Sequence, residues 1–217
     1  MTLAIFDLDE TLISTDSDHA WGEFIVDQGL VDKTAYRETN EAFYKDYLRG
    51  ELDIESYLVF CCSILSRFEL SELHALRVNF VDSIIAPTIL PKAVELVESH
   101  RSAGDFLMVI TSTNQFISEP IVEMFGIKTL IAPEPEIKNG RYTGQILDTP
   151  SYGMGKVIRL NKWLGQHPLI MEGSYFYTDS HNDLPLLRMV DNPVAVDPDE
   201  ILRKEAEQSQ WQIISLR

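Results

Sequence analysis

Cysteine is nearly absent: there are two among 217 residues, and they are the neighbours Cys61 and Cys62. Adjacent thiols cannot tie distant parts of a chain together and lack metal-ligand spacing, so neither a disulfide framework nor a zinc module is expected. A reduced, cytoplasmic protein is the reading. Long hydrophobic runs are also missing. No eighteen consecutive residues are apolar, and no basic segment precedes the short apolar run at the N-terminus. Neither secretion nor membrane spanning is indicated. Positive charge is scarce, with 18 Lys and Arg against 34 Asp and Glu, for a formal net charge of −16. Such a surface repels nucleic acid and anionic lipid, so neither is expected as a partner. What is abundant suits a globular protein. With 45% hydrophobic and 24% charged residues, the chain can build one core of ordinary size with room for an insertion. Oligomeric state is left open.

Short apolar runs at 3–6, 106–110, 129–132, 175–177 and 194–196 read as buried strands. From the second onward a helical segment separates each pair, which argues for an α/β fold with a parallel sheet and crossover helices. Pro91 opens one such helix, with Ala93, Val94 and Val97 on one side and Gly104 at its end. The crossover around 117–125 stops at Gly126. Between residues 16 and 85 the pattern changes. Trp21, Phe24 and Ile25, then Tyr36, Phe43 and Tyr47, then Ile54, Tyr57, Leu58, Cys61 and Leu65, then Leu73, Leu76 and Phe80 recur at helical spacing. Gly29 and Gly50 would end two of these helices, and Asp53 and Ser71 would cap two at their starts. The expectation is four helices forming their own small bundle at 16–85, inserted into a core made of 1–15 and 86–217. Its aromatic and cysteine stripes read as packing. Asn139-Gly140, between residues able to form strands over 137–146, signals a hairpin.

Residues 3–14, "LAIFDLDETLIS", drive an apolar strand into two carboxylates at alternate positions. Side chains in a strand alternate faces, so Asp7 and Asp9 leave on the same side and would crowd their charges unless something bound there. In an open α/β sheet ligands bind at the carboxyl ends of the strands. Asp7, Asp9 and Thr11 follow the first strand; Thr111, Ser112, Thr113 and Asn114 follow the second; Asp179 and Asp183 of "TDSHND" follow the fourth. Lys156 of "GMGKV" lies near the start of the preceding helix. Singly, these residues have plainer uses as turns, helix caps or a solvated lysine. Converging in this order they make a site, and so many carboxylates call for a cation, for which hard oxygen ligands favour magnesium.

"DLDETL", "VITST", the lysine of "GKV" and "TDSHND" together resemble the four ordered motifs of the haloacid dehalogenase (HAD) superfamily, over essentially the whole chain. The resemblance implies a Rossmann-like core, and the helical insertion after the first motif is similar to that superfamily's C1 cap. "GRYTGQI" is similar to the phosphoserine phosphatase branch, subfamily IB. One departure is Thr178, where the family often has glycine before the first acid of the last motif. Residue chemistry and resemblance imply the same activity, magnesium-dependent hydrolysis of a small phosphate monoester. Asp7 would attack phosphorus and form an aspartyl-phosphate, and Asp9 would serve as acid and then base. Thr111 and Ser112 would hold a phosphoryl oxygen, Lys156 would offset charge, and Asn182 would add a contact. Magnesium would be held by Asp7 and Asp179 and, as the family implies, by the Asp9 backbone carbonyl, with Asp183 in support.

Selectivity would fall to the cap. Asp16 matches by its offset a family position whose acid binds a substrate ammonium, although it could equally start a helix. Arg49 is a further candidate contact, with Asp18, Trp21 and Glu23 behind it. Acidic cap positions suit an amine-bearing ester such as phosphoserine or histidinol phosphate. The competing readings are a phosphotransferase or mutase on the same core and a phosphoaccepting signalling or binding domain.

Overall fold

The structure, a computed structural model, describes residues 2–217. Strand β1 (Leu3–Phe6) is apolar at every position and wholly buried, as a central parallel strand covered on both faces must be. Four helices follow: α1 (Ser17–Asp27), α2 (Lys33–Leu48), α3 (Ile54–Leu65) and α4 (Leu70–Phe80). A π-helical stretch (Val81–Ile85) and a 3-10 turn (Ala86–Thr88) return the chain to the sheet. The remainder runs through α5 (Pro91–Ala103), β2 (Phe106–Ile110), α6 (Gln115–Met124), β3 (Thr129–Ile131) and the hairpin β4 (Glu134–Lys138) and β5 (Arg141–Leu147). Then come α7 (Met154–Leu164), β6 (Tyr175–Thr178), the short α8 (Leu184–Leu187), β7 (Asn192–Val196), α9 (Glu200–Ser209) and β8 (Gln212–Ile214).

Six strands form one sheet in the order β3-β2-β1-β6-β7-β8, with every pair parallel. Phe6 stands level with Val109 on one side and Tyr177 on the other, so the carboxyl ends of β1, β2 and β6 open at one place. That place is the topological switch point of the sheet, where the crevice lies. All five expected strands and the hairpin are present. β8 is an addition, a three-residue edge strand too short to leave a period in the sequence.

The helix signals hold with one correction. Gly29 and Gly50 end α1 and α2 at φ of 70° and 69°, and Asp53 caps α3 by accepting from Ser56 N at 3.2 Å. Ser71 caps nothing. Glu72 reaches back to Glu69 N at 3.1 Å in a reciprocal capping box, which starts α4 ahead of the serine.

The four helices are not a bundle of their own. Trp21, Phe24, Ile25 and Phe80 pack in the same cluster as Ile13, Val109 and Phe116 on one face of the sheet. Trp21 meets Phe80 and Phe116 edge-on, with centroids 5.2 and 5.5 Å away. The inserted helices thus complete their core against the sheet face. The opposite face, around Leu3, Ile5, Met108 and Phe176, is covered separately, with Leu160 of α7 and Leu202 of α9 in that layer. The two chain crossings run side by side: Ser14 N donates to Thr88 O at 2.9 Å and Leu90 N to Leu12 O at 3.3 Å. Among the described residues no helix is long and apolar enough to cross a membrane.

Candidate active site

Asp7 lies one residue past β1, and its N–H donates to Tyr177 O at 2.9 Å, which extends the ladder one step. The chain then turns. Leu8 O accepts from Leu12 N at 2.8 Å, and Glu10 adopts a left-handed φ of 54°. Asp7 and Asp9 therefore do not share a strand face, as alternation predicts; the turn places Asp9 independently. Asp7 Oδ1 accepts from Leu8 N at 2.9 Å and faces Lys156 Nζ at 3.0 Å. Lys156 Nζ also reaches Asp183 Oδ2 at 2.6 Å and is 1% exposed. Thr178 Oγ1 lies 2.7 Å from Asp183 Oδ2 and 3.4 Å from Asp7 Oδ2. The threonine that departs from the family pattern thus joins the two acids.

Burial pushes Asp7 up to about 7, with Lys156 opposing and Asp183 and Asp9 adding to the push. Burial disfavours the Lys156 charge, but Asp183 and Asp7 outweigh it and raise that pKa. Asp179 is pushed well up by burial and then by Asp7 and Asp183. Two buried carboxylates, Asp7 and Asp183, and the half-buried Asp179, with one ammonium, leave surplus negative charge, which a cation relieves.

Among the described residues no three His, Cys, Asp or Glu side chains form a ready-made ligand set. Asp183 Oδ2 is occupied by Lys156 and Thr178, so direct ligation by Asp183 rests on Oδ1 alone. The Asp9 carboxylate is occupied as well: Oδ1 accepts from Ser17 N at 2.7 Å, and Oδ2 from Thr113 Oγ1 at 2.7 Å and Thr111 Oγ1 at 3.4 Å. Asp179 is held by Thr11, whose Oγ1 donates to Asp179 Oδ1 at 3.1 Å. Two carboxylates, from Asp7 and Asp179, with a backbone oxygen fit magnesium, which commonly takes one or two carboxylates with phosphate oxygens and water.

Above this floor is a cavity of about 550 Å³, its open mouth included. Asp7, Asp9, Asp16, Thr111 and Ser112 all line it. Asp16 also caps α1, accepting from His19 N at 2.8 Å, and burial and then Asp9 push it up to about 7. Two expected contacts lie elsewhere. Arg49 is exposed at the end of α2, bonded to Asp46 and, at 2.9 Å, to Glu51, and it does not line the cavity. Asn182 clamps α2 to the loop after β6: its Nδ2 donates to Tyr47 O at 3.3 Å and Ser180 Oγ at 3.2 Å. Of the remaining cap candidates, Trp21 packs and Glu23 pairs with Arg37 at 2.6 Å.

Several lining residues escaped sequence reasoning. Asn40, Phe43, Tyr44 and Tyr47 form one face of α2 at i, i+3, i+4 and i+7, and they line the cavity with Tyr57 of α3. Phe43 and Tyr47, from the stripe read as packing, are part of a wall, and the polar Asn40 on the same face was the available signal. Thr113 and Thr178 stood out as a strand-end residue and as a departure from the family pattern, but nothing local showed that they orient Asp9 and Asp183.

The model of the haloacid dehalogenase-like hydrolase family matches residues 4–188. A histidinol-phosphatase of Neisseria meningitidis serogroup C is 46% identical over 99% of both chains. A crystal structure from Bordetella pertussis Tohama I, of a protein with unknown function, has a TM-score of 0.94 at 41% identity over the whole of both chains. A phosphoserine phosphatase solved as a phospho-aspartyl intermediate analogue has a TM-score of 0.70 over 100% of this chain and 93% of its own; at 19% identity it speaks for the fold alone. The match spans β1 to the acids after β6, and the relatives cover the insertion too: the chain belongs to the haloacid dehalogenase-like hydrolase family.

Proposed function

We propose that this protein hydrolyses a small phosphate monoester that carries an amine and no carboxylate, through an aspartyl-phosphate on Asp7. The observation that carries this reading is the fixed Asp7 carboxylate, held by Leu8 N and Lys156 at the cavity floor, with Asp9 held separately by Ser17 N and Thr113. Asp7 attacks phosphorus as the ester P–O bond breaks, and Asp9 delivers the proton that the leaving alkoxide needs. Asp9 then takes a proton from water attacking the aspartyl-phosphate, and phosphate departs. Thr111 and Ser112 hold a phosphoryl oxygen, and Lys156 offsets charge on Asp7 and the transferring group. Magnesium would be held by the Asp7 and Asp179 carboxylates and the Asp9 backbone carbonyl, and when bound it supplies the positive charge that lets two anions meet.

Residues 16–85 serve as the cap that selects the substrate. Asp9, Asp16 and Asp18 line the cavity, and none of the described lining residues is Lys or Arg. The cap arginines nearby, Arg37 and Arg49, are both exposed in part and bonded to acids outside it. An ester such as phosphoserine would press a second anion against these acids, whereas an ammonium meets Asp16. Histidinol phosphate has the amine without the carboxylate, and the 46% identical relative bears that substrate's name.

Asp9→Asn tests the reading. With nitrophenyl phosphate, whose leaving group needs no proton, the variant is expected to release about one equivalent of nitrophenol and stall with a phosphorylated protein. Turnover of alkyl and nitrophenyl esters at wild-type rates would remove Asp9 from the reaction. A wild type that itself stops after one equivalent would make the protein a phosphoacceptor, and alcohol-dependent product transfer would make it a phosphotransferase.

A further inference from the structure

The cavity contains one acid beyond the two in the reaction and the one that meets the amine. Asp18, in the first turn of α1, is 5% exposed and lines the cavity beside Asp16, His19 and Tyr57. Its Oδ1 accepts from Asn114 Nδ2 at 3.2 Å. Among the described residues its Oδ2 has no hydrogen-bond partner, and neither has Asn114 Oδ1 or Ser17 Oγ. Buried polar groups are ordinarily paired, so an unpartnered carboxylate oxygen on a residue that lines the cavity points to a donor from outside the protein. Neighbouring polar groups are already engaged: Asp16 Oδ1 by His19 N, and His19 Nδ1 with Asn40 Nδ2 at 3.1 Å. Burial, then Asp16 and Asp9, push the Asp18 carboxyl well up, with the Tyr57 side chain beside it opposing, and the surrounding acids disfavour an anion here.

The nearby walls are flat. Phe43 and Tyr57 meet edge-on with centroids 5.3 Å apart, and Tyr44 packs on His19 at 5.1 Å. Aromatic surfaces of this kind hold planar rings and attract cations over their faces.

We propose that Asp18 selects the substrate by accepting an N–H from a second nitrogen group, a planar protonatable heteroaromatic ring, on an ester whose amine faces Asp16. The proposal rests on the phosphomonoesterase reading above and extends it to a residue and a chemical class. The ring lies among Phe43, Tyr44 and Tyr57, and its N–H completes the bonding of Asp18 Oδ2.

Calorimetric binding to Asp7→Asn protein, which cannot turn over, tests it with two probes: histidinol phosphate, with amine and ring, and phosphoethanolamine, with amine alone. Adding Asp18→Asn is expected to weaken histidinol phosphate at least tenfold and phosphoethanolamine less than threefold. If both weaken alike, if neither does, or if histidinol phosphate binds no more tightly than phosphoethanolamine before the change, the proposal is overturned. Thermal melting verifies the fold; should Asp18→Asn not fold, Asp18→Ser, which keeps an oxygen for Asn114, undergoes the same measurement. Wild-type turnover of nitrophenyl phosphate is scored separately. Its absence would sink the phosphatase reading while the ratio of affinities still decided the role of Asp18.

Discussion

On the core side of the cavity Lys156 Nζ sits 2.6 Å from Asp183 and 3.0 Å from Asp7, and Thr178, Thr113 and Leu8 N occupy the remaining close contacts. On the cap side Asp18 Oδ2, Ser17 Oγ and Asn114 Oδ1 are buried and unpartnered where α1 meets the loop after β2. The core-side groups are each held by at least one protein bond, whereas these cap-side atoms have none among the described residues. Groups that do chemistry gain from being held before substrate arrives, because no reorganisation then opposes the transition state. Groups that choose a substrate gain from being incomplete, because only the matching ligand repairs them.

The largest expected effect tests the core side. Asp7→Ala should lower the release of phosphate from every ester by a factor on the order of 10⁴ or more, because no later step occurs without the nucleophile. Activity within a hundredfold of wild type would put the nucleophile elsewhere. Next comes the hydrophobic layer shared by cap and core. Phe80→Ala should cost about 3–5 kcal/mol in urea unfolding while retaining a single transition, because Phe80 is fully buried between Trp21 and Phe24 in that layer. A two-step melt, with the helices lost first, would show the cap to be the separate bundle that the helical pattern suggests.

A smaller effect concerns Asp16. Burial, then Asp9, lift its pKa from 3.8 to about 7, so between those values the folded protein holds a proton that the unfolded chain has lost. Stability from this group therefore falls as pH rises through that window. Asn caps a helix as well as Asp and carries no charge. In chelated buffer Asp16→Asn should melt higher than wild type at pH 8, and its Tm should depend less on pH between 5 and 8. A variant that melts lower at pH 8 would show that Asp16 is not burdened by its surroundings. The smallest effect is expected from Arg49→Ala, since its partners Asp46 and Glu51 lie outside the cavity. KM for an amine-bearing ester should stay within twofold, and a tenfold rise would show that Arg49 contacts the substrate.

Much of the site could be read along the chain because its pieces announce themselves locally. An apolar strand ending in Asp7, an apolar strand ending in Thr111 and Ser112, and another ending in Asp179 each declare a strand end, and the fold brings strand ends together. Gly29, Gly50 and Asp53 similarly mark helix ends by backbone conformation or capping alone. Failures came where meaning depends on a distant partner. Arg49 beside acids one turn away and Arg49 in a cavity have the same local sequence. The stripe Asn40, Phe43, Tyr44 and Tyr47 has the period of a packing face whether it meets another helix or a cavity. Ser71 failed for a local reason, because the capping box of Glu69 and Glu72 competed with it and prevailed.

By itself the sequence determined the parallel sheet, the four-helix insertion, and the order in which carboxylates, hydroxyls and the lysine arrive at the strand ends. Those features follow from hydrophobic period, turn residues and caps, which act over a few neighbouring residues. Only the tertiary structure decided that cap and core share one hydrophobic layer, that Thr178 ties Asp183 toward Asp7, and that Asp18 keeps one oxygen unpartnered. Those are facts about which groups, up to 171 positions apart for Thr178 and Asp7, end within 3.4 Å of one another or meet nothing. Local propensity contains no term for that separation; the packing of helices on the sheet does.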